Sequence, residues 1–568
     1  MNKLPSRKFT FPSYSTPKVL LQNTRKTIMS QLLGERKAKR VFDAWGNLNI
    51  DQFLVQYKIH SGVKHYISQN HIDRIPTEGS LIVLANHPTG IPDGLLILDI
   101  VLKKRRDVKL IVDIDTYPND VLKDYTIGIH SGPNQVNLNA MALKEALDWL
   151  EEGHCLVLFS NNEVDTNRQI FKRFSDNFWH PTVKKIILKN KGQVLPWAIS
   201  GKNSILFYRL SQINPELKNA LLARESLKRN RRPIYSVIGK AFRASDEHSI
   251  NDLELKIRLM SRKTNSIDFK RFIPQLTQTE FEPIADEIDA PKIKLEIQNL
   301  GEPIISKGAN QIFLTSQAES PNTLLEIGRL RELTFRNVNE GSGKCRDLDS
   351  YDRDFKHLIL WDSEGEKLVG AYRLGIGPEL HKDPNYHNIL YDFYERNLRV
   401  EELLSESMVM GRAFVAPAYQ QKAFPLFMLW QGITWVVQKH PDIKYLIGQT
   451  SLPNTFHDYS KLLITGFLWK HFSNPERAKH FKAFHPLKLK HNALIEDWIA
   501  NSHPDDIKRM DKIIECIEPN GAKTPMLFKR YVDQKAYCVG INIDPDFQNS
   551  IDILMMTNVA DIAVTENL

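Results

Sequence analysis

The sequence LIVLANHPTGIPDGL, residues 81–95, decides the fold of the first half of the chain. Its first five residues predict a buried strand, and the prolines and glycines that follow break the chain before a new apolar period from 95 to 102. Pro92 suits the first position of the resulting helix, where its missing N–H is not needed, and Asp93 falls in the first turn, where negative charge is favoured. Asp93 can therefore face back toward His87.

The pair formed by His87 and Asp93 predicts acid–base chemistry. Asp93 would hold one nitrogen of the imidazole ring, which leaves the other nitrogen to take a proton from an alcohol that attacks a thioester. The alternative is a turn histidine that is satisfied by backbone groups, because a His and an Asp six positions apart are weak evidence by themselves. We predict His87 and Asp93 as catalytic residues, with Asn86 beside them in contact with the substrate.

Residues 81–95 resemble the first motif of the glycerolipid O-acyltransferase family, in which Asn-His is followed after four residues by Asp. Here five residues intervene, a spacing similar to that of the ornithine-lipid and hemolysin-like branch. The blocks VLP at 194–196 and GKNS at 201–204 resemble the fourth motif of that branch, which implies that Asn203 contacts the substrate. The resemblance implies an α/β domain that esterifies a hydroxyl group.

Two other motifs of the branch are altered in this chain. The third motif normally has the sequence Phe-Pro-Ala-Gly-Glu, whereas residues 159–163 are FSNNE, which keeps Glu163 as a substrate-binding candidate but loses the proline and glycine. The second motif, which usually brings a cation toward a phosphate of the acceptor, is represented at best by residues 128–130. Two hypotheses therefore stay open: an active O-acyltransferase, or a fold retained for docking or substrate shuttling.

The composition predicts two domains and no membrane span. The 568 residues are too many for one hydrophobic core, and no continuous apolar run reaches the length of about 18 residues that a membrane helix needs. Residues 1–18 lack the apolar core and the cleavage site of a secretory signal. The four cysteines and the histidines between 480 and 491 have no metal-ligand spacing. We expect a cytoplasmic protein with reduced thiols and no bound metal.

The net charge of +9 at pH 7 predicts an acidic partner. Basic clusters at 103–106, 184–185 and 228–232 could attract an anionic bilayer or an acidic protein, and the alternative is that they are solvated faces. The pattern of 19–48 predicts a basic amphipathic helix, typical of a membrane-surface element but also of an ordinary helix packed on its domain. Nucleic acid is not expected, because zinc-finger, aromatic-platform and basic-zipper patterns are absent. We expect a peripheral location on the inner face of the bacterial cytoplasmic membrane.

The order of elements predicts an α/β domain followed by a different domain. Apolar strands at 109–114 and 155–159 alternate with a helical stretch at 140–152, as in α/β folds. A proline-bearing acidic stretch separates this region from the second half, and no internal repeat crosses it. The predicted segments are 1–50 (amphipathic helical segment), 51–273 (first domain), 274–290 (linker) and 291–568 (second domain).

The second half contains a series of blocks that resemble, in order, those of the ornithine-lipid N-acyltransferase family, relatives of acyl-homoserine-lactone synthases within the acetyltransferase superfold. The resemblance implies an acetyltransferase-like mixed sheet with flanking helices, and transfer of an acyl chain to the α-amine of an amino acid. The blocks are EIGRLRELTFR (326–336), EGSG (340–343), DLDSYD (347–352), HLI (357–359), VGAYRL (369–374), GRAFV (411–415), LWQGI (429–433), KRY (529–531) and NIDPDF (542–547).

The local patterns of the second half agree with such a sheet. Residues 355–361 and 367–374 flank a turn and predict an antiparallel hairpin. A strand at 408–415 is followed by a helix at 426–438, and the loop between them, QQKAFP at 420–425, has no glycine. Without glycine, close approach of the backbone to a pyrophosphate is disfavoured. The predicted donor is therefore an acyl chain carried by acyl carrier protein, with no cofactor bound by the chain itself.

Charged residues in these blocks are the candidate site residues of the second half. Arg331 and Phe335 lie one helical turn apart and can address one pocket, with Arg331 paired to Asp349 or Asp352. Arg373 lies in an otherwise apolar strand, so it must be paired if buried, and it could equally orient the carboxylate of the acceptor.

Glu406 and Arg412 are the predicted catalytic residues of this half, because they lie on either side of the start of the next strand. Glu406 would accept the proton of the attacking α-amine, directly or through water, while backbone N–H groups hold the oxyanion. The alternative for all of these charges is an ion-pair network that only braces the sheet.

Together the two resemblances imply a bifunctional acyltransferase that makes an aminolipid. The second half would join a 3-hydroxyacyl chain to the α-amine of an amino acid, and the first half would esterify the resulting hydroxyl. Ornithine is favoured by resemblance alone, and glycine, lysine and glutamine stay open. The alternative is a single N-acyltransferase whose first half is a noncatalytic membrane- and lipid-binding module. The implied partners are acyl carrier protein, the amino acid, the lyso-aminolipid and an anionic membrane surface.

Overall fold

The chain forms two compact units, Met1–Ile273 and Pro274–Leu568, each with its own sheet. Several predictions fall wholly or partly on undescribed parts of the chain: the substrate contact of Glu163, the amphipathic segment before Glu35, the basic cluster at 228–232, the start of the expected linker at 274–280, and residues 421–423 of the glycine-free loop. A computed structural model describes residues 35–113, 120–130, 136–160, 181–213, 221–222, 224–227, 233–244, 247–265, 281–338, 340–383, 385–420, 424–518 and 522–562.

Seven strands form the sheet of the first unit: β1 (His65–Tyr66), β2 (Leu81–Ala85), β3 (Val108–Asp113), β4 (Thr126–Ile129), β5 (Cys155–Phe159), β6 (Gln193–Ile199) and β7 (Ile234–Ile238). Their order is β1-β7-β6-β2-β5-β3-β4, and all neighbours are parallel except β6 and β7. Strand β2 lies between β5 and β6 with every residue buried, which is why its sequence is apolar without alternation. The predicted α/β class is confirmed.

Helices connect and cover these strands. The described helices of this unit are α1 (Glu35–Asp43), α2 (Ile50–Ser61), α3 (Gln69–Ile72), α4 (Ile91–Val101), α5 (Val136–Glu151), α6 (Pro181–Lys189), α7 (Ile205–Ile213) and α8 (Glu247–Asn265). Helix α4 begins at Ile91, so Pro92 is its second residue and not its first, a position that also needs no N–H donor. Gly90 precedes it with φ of 89°, a conformation that favours glycine.

The described part of the N-terminal basic segment packs on its own unit. Helix α1 ends at Asp43, and the side chains of Ala38, Phe42 and Trp45 are buried. Phe42 stacks on Phe53 of α2 with ring centroids 6.1 Å apart. From Glu35 onward, the apolar face of the segment is therefore occupied by protein, which favours the ordinary packed helix for these residues.

The basic cluster at 103–106 is tied to nearby acids. Lys104 Nζ lies 2.7 Å from Asp73 Oδ1, and Arg106 Nη1 lies 2.9 Å from Asp51 Oδ2. These ion pairs favour the hypothesis that the cluster is a solvated face of the folded domain and not a binding surface for an anionic partner. Within the described ranges, no helix combines the length and apolarity that crossing a bilayer requires.

Eight strands form the sheet of the second unit: β8 (Ile305–Lys307), β9 (Asn310–Thr315), β10 (Lys356–Asp362), β11 (Lys367–Ile376), β12 (Ser407–Val415), β13 (Tyr445–Leu452), β14 (Tyr537–Asp544) and β15 (Ser550–Asn558). Their order is β14-β15-β13-β12-β11-β10-β9-β8. Strands β12 and β13 are parallel and all other neighbours are antiparallel, so the sheet is mixed, as predicted. Strands β10 and β11 form the predicted hairpin.

Helices flank this sheet. Those described are α9 (Ala290–Asn299), α10 (Pro321–Arg336), α11 (Tyr351–Asp354), α12 (Gly377–Leu380), α13 (Leu398–Ser405), α14 (Phe424–Lys439), α15 (Asp458–Phe472), α16 (Pro475–Ala478), α17 (Ala493–Ala500), α18 (Ile507–Ile517) and α19 (Met526–Asp533). Helix α10 contacts β11 and β12, and α14 contacts β9, β10 and β11. Short 3-10 turns lie at Asp120–Tyr125, Ile389–Asp392, Pro417–Tyr419, Pro504–Asp506 and Val559–Asp561.

Part of the stretch expected to be a linker packs on the second unit. The N–H of Ile288 donates to Glu326 Oε2 at 3.1 Å, and the N–H of Cys345 donates to Glu282 Oε2 at 2.8 Å. From 281 onward, this stretch is therefore attached to its own unit through the Glu282 side chain and the backbone of Ile288.

Candidate active sites

The candidate site of the first unit lies where β2 ends and α4 begins. His87 comes two residues after the strand, and Asp93 lies in the first turn of the helix with no exposed surface. The Nδ1 atom of His87 is 3.2 Å from Oδ2 of Asp93, and the histidine side chain keeps 13% of its surface exposed. The structure thus brings the predicted pair together and leaves the imidazole accessible from one side.

Asp93 also organises the loop between strand and helix. Its Oδ2 accepts hydrogen bonds from the N–H groups of Thr89 at 2.7 Å and Gly90 at 2.9 Å, and its Oδ1 accepts one from the Thr89 hydroxyl at 2.5 Å. These donors and the N-terminal end of α4 stabilise a buried negative charge. At 3.2 Å from Oδ2, His87 Nδ1 has no hydrogen-bond partner among the described residues. Bonds of this kind often tighten only when substrate is bound.

Phe159 orients the imidazole ring. It is the last residue of β5 and lies opposite Ala85 of β2. Its ring stacks on that of His87, with centroids 4.0 Å apart and planes at 30°. The first residue of the altered third motif therefore still contacts the predicted base, while 161–163 fall outside the described residues.

The predicted substrate contacts Asn86 and Asn203 are engaged with the protein itself. The Asn86 amide donates to the carbonyl of Ile199 at 2.9 Å, accepts from its N–H at 2.7 Å, and donates to the Ser261 hydroxyl at 3.2 Å. Asn86 is thus a positioning residue that ties the end of β2 to the end of β6. Asn203 makes one long bond to the carbonyl of Thr89, at 3.5 Å, and its buried Oδ1 has no hydrogen-bond partner among the described residues.

This arrangement suits general-base chemistry on an alcohol. The Nε2 atom is on the far side of the ring from Asp93, so it is the nitrogen that can meet a hydroxyl group. A carboxylate at Nδ1 stabilises the imidazolium that forms when Nε2 takes the proton. The residues placed for this step, His87 and Asp93, are the pair predicted from the sequence.

The candidate site of the second unit is a buried network of arginines and aspartates. Arg331, on α10, donates to Asp352 at 2.7 Å. Arg373, on β11, donates to Asp349 at 2.6 Å and lies 3.3 Å from Asp352. Both arginines are at most 2% exposed. The predicted pairing of Arg331 is present, and Arg373 is held by aspartates, so it positions the network and does not point to solvent.

His357 completes this network, although the sequence argument gave it no role. Its Nε2 lies 3.0 Å from the carbonyl oxygen of Asp352, and its Nδ1 lies 3.4 Å from Arg331 Nη2. Burial and the neighbouring charge of Arg331 lower the pKa of His357 to about 4, so the ring is neutral at pH 7. Burial alone would raise the pKa of Asp352, but the charges of Arg331 and Arg373 outweigh it and hold that pKa below its ordinary value. The charges of the network are therefore fixed at neutral pH.

Arg412 is the more accessible arginine of this site. It lies in an irregular part of β12, with φ of 51°, and its side chain is 25% exposed. Its Nε is 3.2 Å from Asp347 Oδ2, and its Nη2 is 3.5 Å from Asp349 Oδ2. The guanidinium lies 4.3 Å from the ring centroid of Phe547, which in turn contacts Phe335 edge-on at 6.0 Å. Arg412 is thus placed to contact a ligand, with the predicted Phe335 nearby.

Strands β12 and β13 separate beside this network. Their parallel pairing joins 407–410 to 445–448 and then stops, although both strands continue. Beyond that point, β12 is paired with β11 and β13 with β15. The inner edges of 411–415 and 449–452 therefore have no partner strand in the described part of the chain. We call this opening the strand gap. Free strand edges of this kind bind extended ligands by adding them as a strand.

Glu406 is not part of this site. It follows α13 directly and lies before β12, with its side chain 43% exposed and its Oε1 2.5 Å from Lys444 Nζ. Arg412 is six residues further along, a separation of about 20 Å at ~3.3 Å per strand residue. The two predicted catalytic residues of this unit are therefore not brought together, because the strand carries them to opposite ends.

Three buried acids that the prediction did not include lie around the strand gap. Asp552, on β15, is opposite Ser451 of β13, and the side chain of Glu340 lies near Ser451. Asp544 ends β14. Asp552 interrupts an apolar strand, as Arg373 does, and that signal could have found it. No three His, Cys, Asp or Glu side chains among the described residues form a group that could hold a metal ion.

Comparison with known proteins finds one family match in each unit. Residues 17–271 match the family described as "Acyltransferase", and residues 330–431 match the family described as "Acetyltransferase (GNAT) domain". The first unit thus contains a match to an acyltransferase domain, and the second unit contains a match to a GNAT-type domain.

The GNAT part is similar to two proteins named glycine N(alpha)-acyltransferase. With that of Phocaeicola vulgatus it shares 32% identity over 184 residues, which is 30% of this chain and 56% of the relative. With that of Bacteroides thetaiotaomicron it shares 33% identity over 183 residues, which is 30% of this chain and 54% of the relative. The matched region spans about half the length of these relatives.

Proposed function

We propose that the second unit joins a 3-hydroxyacyl chain to the α-amine of an amino acid, and that the first unit esterifies the hydroxyl group of the product. The two steps are linked by chemistry, because the amide product supplies the alcohol that His87 needs as a nucleophile. The final product is a diacylated aminolipid.

The strand gap is the observation that carries amide formation. A phosphopantetheine arm is an extended chain with amide groups, so it can pair with the inner edge of 411–415 or of 449–452. Its thioester would then lie between the two edges, where backbone N–H groups can stabilise the oxyanion that forms on attack. The arginine–aspartate network holds α10 and β11 rigid beside this opening.

The charges near the gap fit an amino acid. Arg412 is accessible and suits the carboxylate of the acceptor, and the buried acids suit its ammonium group. Glycine is the first acceptor to test, since the similar proteins are named for it. Ornithine, expected from the sequence resemblance, is the second, followed by lysine and glutamine.

Acyl carrier protein is the donor that we propose. The N-terminal end of α14, at Phe424, is where a helix could hold a pyrophosphate. However, Phe424 shares a cleft with Asp362 and Glu364, and these carboxylates repel the diphosphate of coenzyme A. The net charge of +9 fits an acidic carrier protein and an anionic membrane surface, to whose inner cytoplasmic face we propose the protein attaches.

Ester formation is assigned to the pair formed by His87 and Asp93. The alternative is a single N-acyltransferase whose first unit only binds lipid. It is supported by the hydrogen bonds that Asp93 accepts from Thr89 and Gly90, because these bonds give Asp93 a structural role in the loop. The two hypotheses predict different lipids. The bifunctional enzyme gives a diacylated amino acid, and the single N-acyltransferase stops at the monoacylated one.

Lipid mass spectrometry of a heterologous host that expresses the full chain tests the proposal. We expect a diacylated amino acid whose head-group mass identifies the acceptor. A monoacylated product alone would support the alternative. If none of the four amino acids is acylated in the host, and the purified chain also acylates none of them from a carrier-bound 3-hydroxyacyl donor, the assignment of amide formation is wrong.

A further inference from the structure

The acids around the strand gap are not needed to balance the arginines. Each arginine of the network lies within 3.5 Å of an aspartate from residues 347–352. Glu340, Asp544 and Asp552 form no ion pair with any described residue, although each is at most 8% exposed. When they ionise, this part of the site carries excess negative charge, which a cationic ligand would complement.

These acids converge on the gap from three different elements. Glu340 follows α10, and its N–H donates to the carbonyl of Phe335 at 2.9 Å. Its side chain meets Ser451, which lies in the part of β13 that has already separated from β12. Ser451 is opposite Asp552 on β15. The carboxyl group of Glu340 is therefore held at the free edge of β13, where the thioester of a bound donor would lie.

Several buried polar atoms in this region lack hydrogen-bond partners among the described residues, among them Nε2 of Gln449 and Oγ of Ser550. Oε1 of Glu340 and the hydroxyl oxygen of Tyr394 have no hydrogen-bond partner within the described ranges. Tyr394 has no exposed surface, and the charge of Asp552 helps to raise its pKa. A buried carboxyl oxygen without a donor is costly, so Oε1 of Glu340 is suited to accept a hydrogen bond from a bound ligand.

Titration of these groups fits proton transfer. Burial raises the pKa of Glu340 to about 7, against a weaker opposing effect of the nearby Ser451 side chain. Burial and the charges of Asp544 and Glu340 raise the pKa of Asp552 well above its ordinary value, and Arg412 opposes this. Burial also raises the pKa of Asp544. A carboxyl group that titrates near the working pH is suited to accept and release a proton in each turnover.

We propose that Glu340 accepts the proton of the acceptor's ammonium group, while Arg412 binds the acceptor's carboxylate; this inference rests on the proposed amide-forming function. One N–H proton passes to the Glu340 carboxylate, and the freed lone pair attacks the thioester carbon. The C–N bond forms, the C–S bond breaks, and the second proton of the nitrogen goes to the departing sulfur. Glu340 then releases its proton to solvent.

The test uses the purified full chain, a 3-hydroxyacyl donor on acyl carrier protein, and glycine. Glu340→Gln keeps the shape of the side chain and should lower kcat by about 10²-fold at pH 7.5, the effect expected for losing a general base. For the wild type, kcat should rise with pH up to about 7, because protonated Glu340 cannot accept a proton, and then level off. The variant should lose this rise, and Glu340→Asp should restore part of the rate.

A second acceptor separates proton transfer from a structural role. Aminooxyacetate has an amine that is already neutral at pH 7, so Glu340→Gln should reduce its acylation much less than that of glycine. Equal losses with both acceptors would overturn the proposal, as would a change in KM alone. Glu379→Gln, at an exposed carboxylate of α12, is the matched control and should keep the wild-type rate.

Failure of the inference is distinct from failure of the proposed function. A wild type that acylates no amino acid contradicts both. An active wild type together with a folded Glu340→Gln variant that keeps its rate and pH profile contradicts only the role of Glu340. If Glu340→Gln does not fold, Glu340→Asp decides, because a carboxylate withdrawn by one methylene should act more slowly, and a full wild-type rate in that variant would overturn the proposal.

Discussion

In the first unit, a histidine faces an aspartate whose charge is already held by three hydrogen bonds, whereas in the second unit buried acids outnumber the arginines. The difference follows from the proposed nucleophiles. An alcohol arrives neutral and needs an oriented base only as it attacks, but an amine arrives as an ammonium ion and must lose a proton first. The comparison teaches that the protonation state in which a nucleophile arrives decides whether a site needs a compensated carboxylate or uncompensated ones.

The largest expected effect comes from removing a charge of the buried network. Arg373→Met leaves Asp349 and Asp352 with one cation fewer, and breaking a buried ion pair costs about 3–5 kcal/mol. We expect amide formation to disappear and hydrogen exchange to increase in peptides of the second unit, with peptides of the first unit unchanged. Exchange in the full chain, measured by mass spectrometry, checks this result.

Arg399→Met is the control for that variant. Arg399 forms an exposed ion pair with Glu402 at 2.8 Å, and exposed pairs contribute about 1 kcal/mol or less. If Arg373→Met and Arg399→Met destabilise the second unit equally, burial of the ion pairs does not explain the contribution of the network to stability.

The second effect separates the two sites directly. His87→Ala should lower ester formation by about 10²-fold or more and leave amide formation unchanged, because only the first unit is altered. The ratio of diacylated to monoacylated product, measured in one sample, checks this and serves as its own control. An unchanged ratio would leave the first unit with a binding role alone.

A smaller effect concerns the donor. We expect kcat/KM with the carrier-protein donor to exceed that with the same acyl chain on coenzyme A by about tenfold, or ~1.4 kcal/mol. Added salt should reduce this advantage, since it screens the attraction between a basic enzyme and an acidic carrier. Equal values for both donors at low salt would contradict the argument from Asp362 and Glu364.

The smallest effect is expected at Glu406. Glu406→Gln removes an exposed partner of Lys444 and should change stability by about 0.5 kcal/mol or less, as surface substitutions usually do. The rate of amide formation should stay near that of the wild type. A loss of rate as large as that expected for Glu340→Gln would indicate that Glu406 is the proton acceptor.

Short-range patterns predicted much of the fold. The strands at 81–85 and 155–159 have the predicted bounds, because each is a buried run of apolar residues ended by turn-forming residues. The hairpin around the turn after Asp362 was equally predictable. The packing of the expected linker was harder to predict. Its acidic composition does not show that Glu282 accepts a hydrogen bond from the N–H of Cys345, a residue far away in the sequence.

The two sites also differ in how far they can be predicted from short-range patterns. His87 and Asp93 are close in sequence, so one turn of chain brings them together. The choice between Glu406 and Glu340 depends on which carboxyl group the fold buries, and this is set by the remote residues Ser451 and Asp552. No local pattern carries that information, because burial arises from tertiary packing.

The placement of Asp552 on β15 also has a consequence for the order in which the enzyme matures. At a synthesis rate of 5–20 residues per second, Asp552 leaves the ribosome roughly 7–28 s after Arg412. During that interval the nascent chain already contains the arginines and their aspartates, but β13 lacks the neighbour that brings Asp552 to its edge. For the amide-forming function proposed above, a growing polypeptide could not complete this site before the hairpin of β14 and β15 docks.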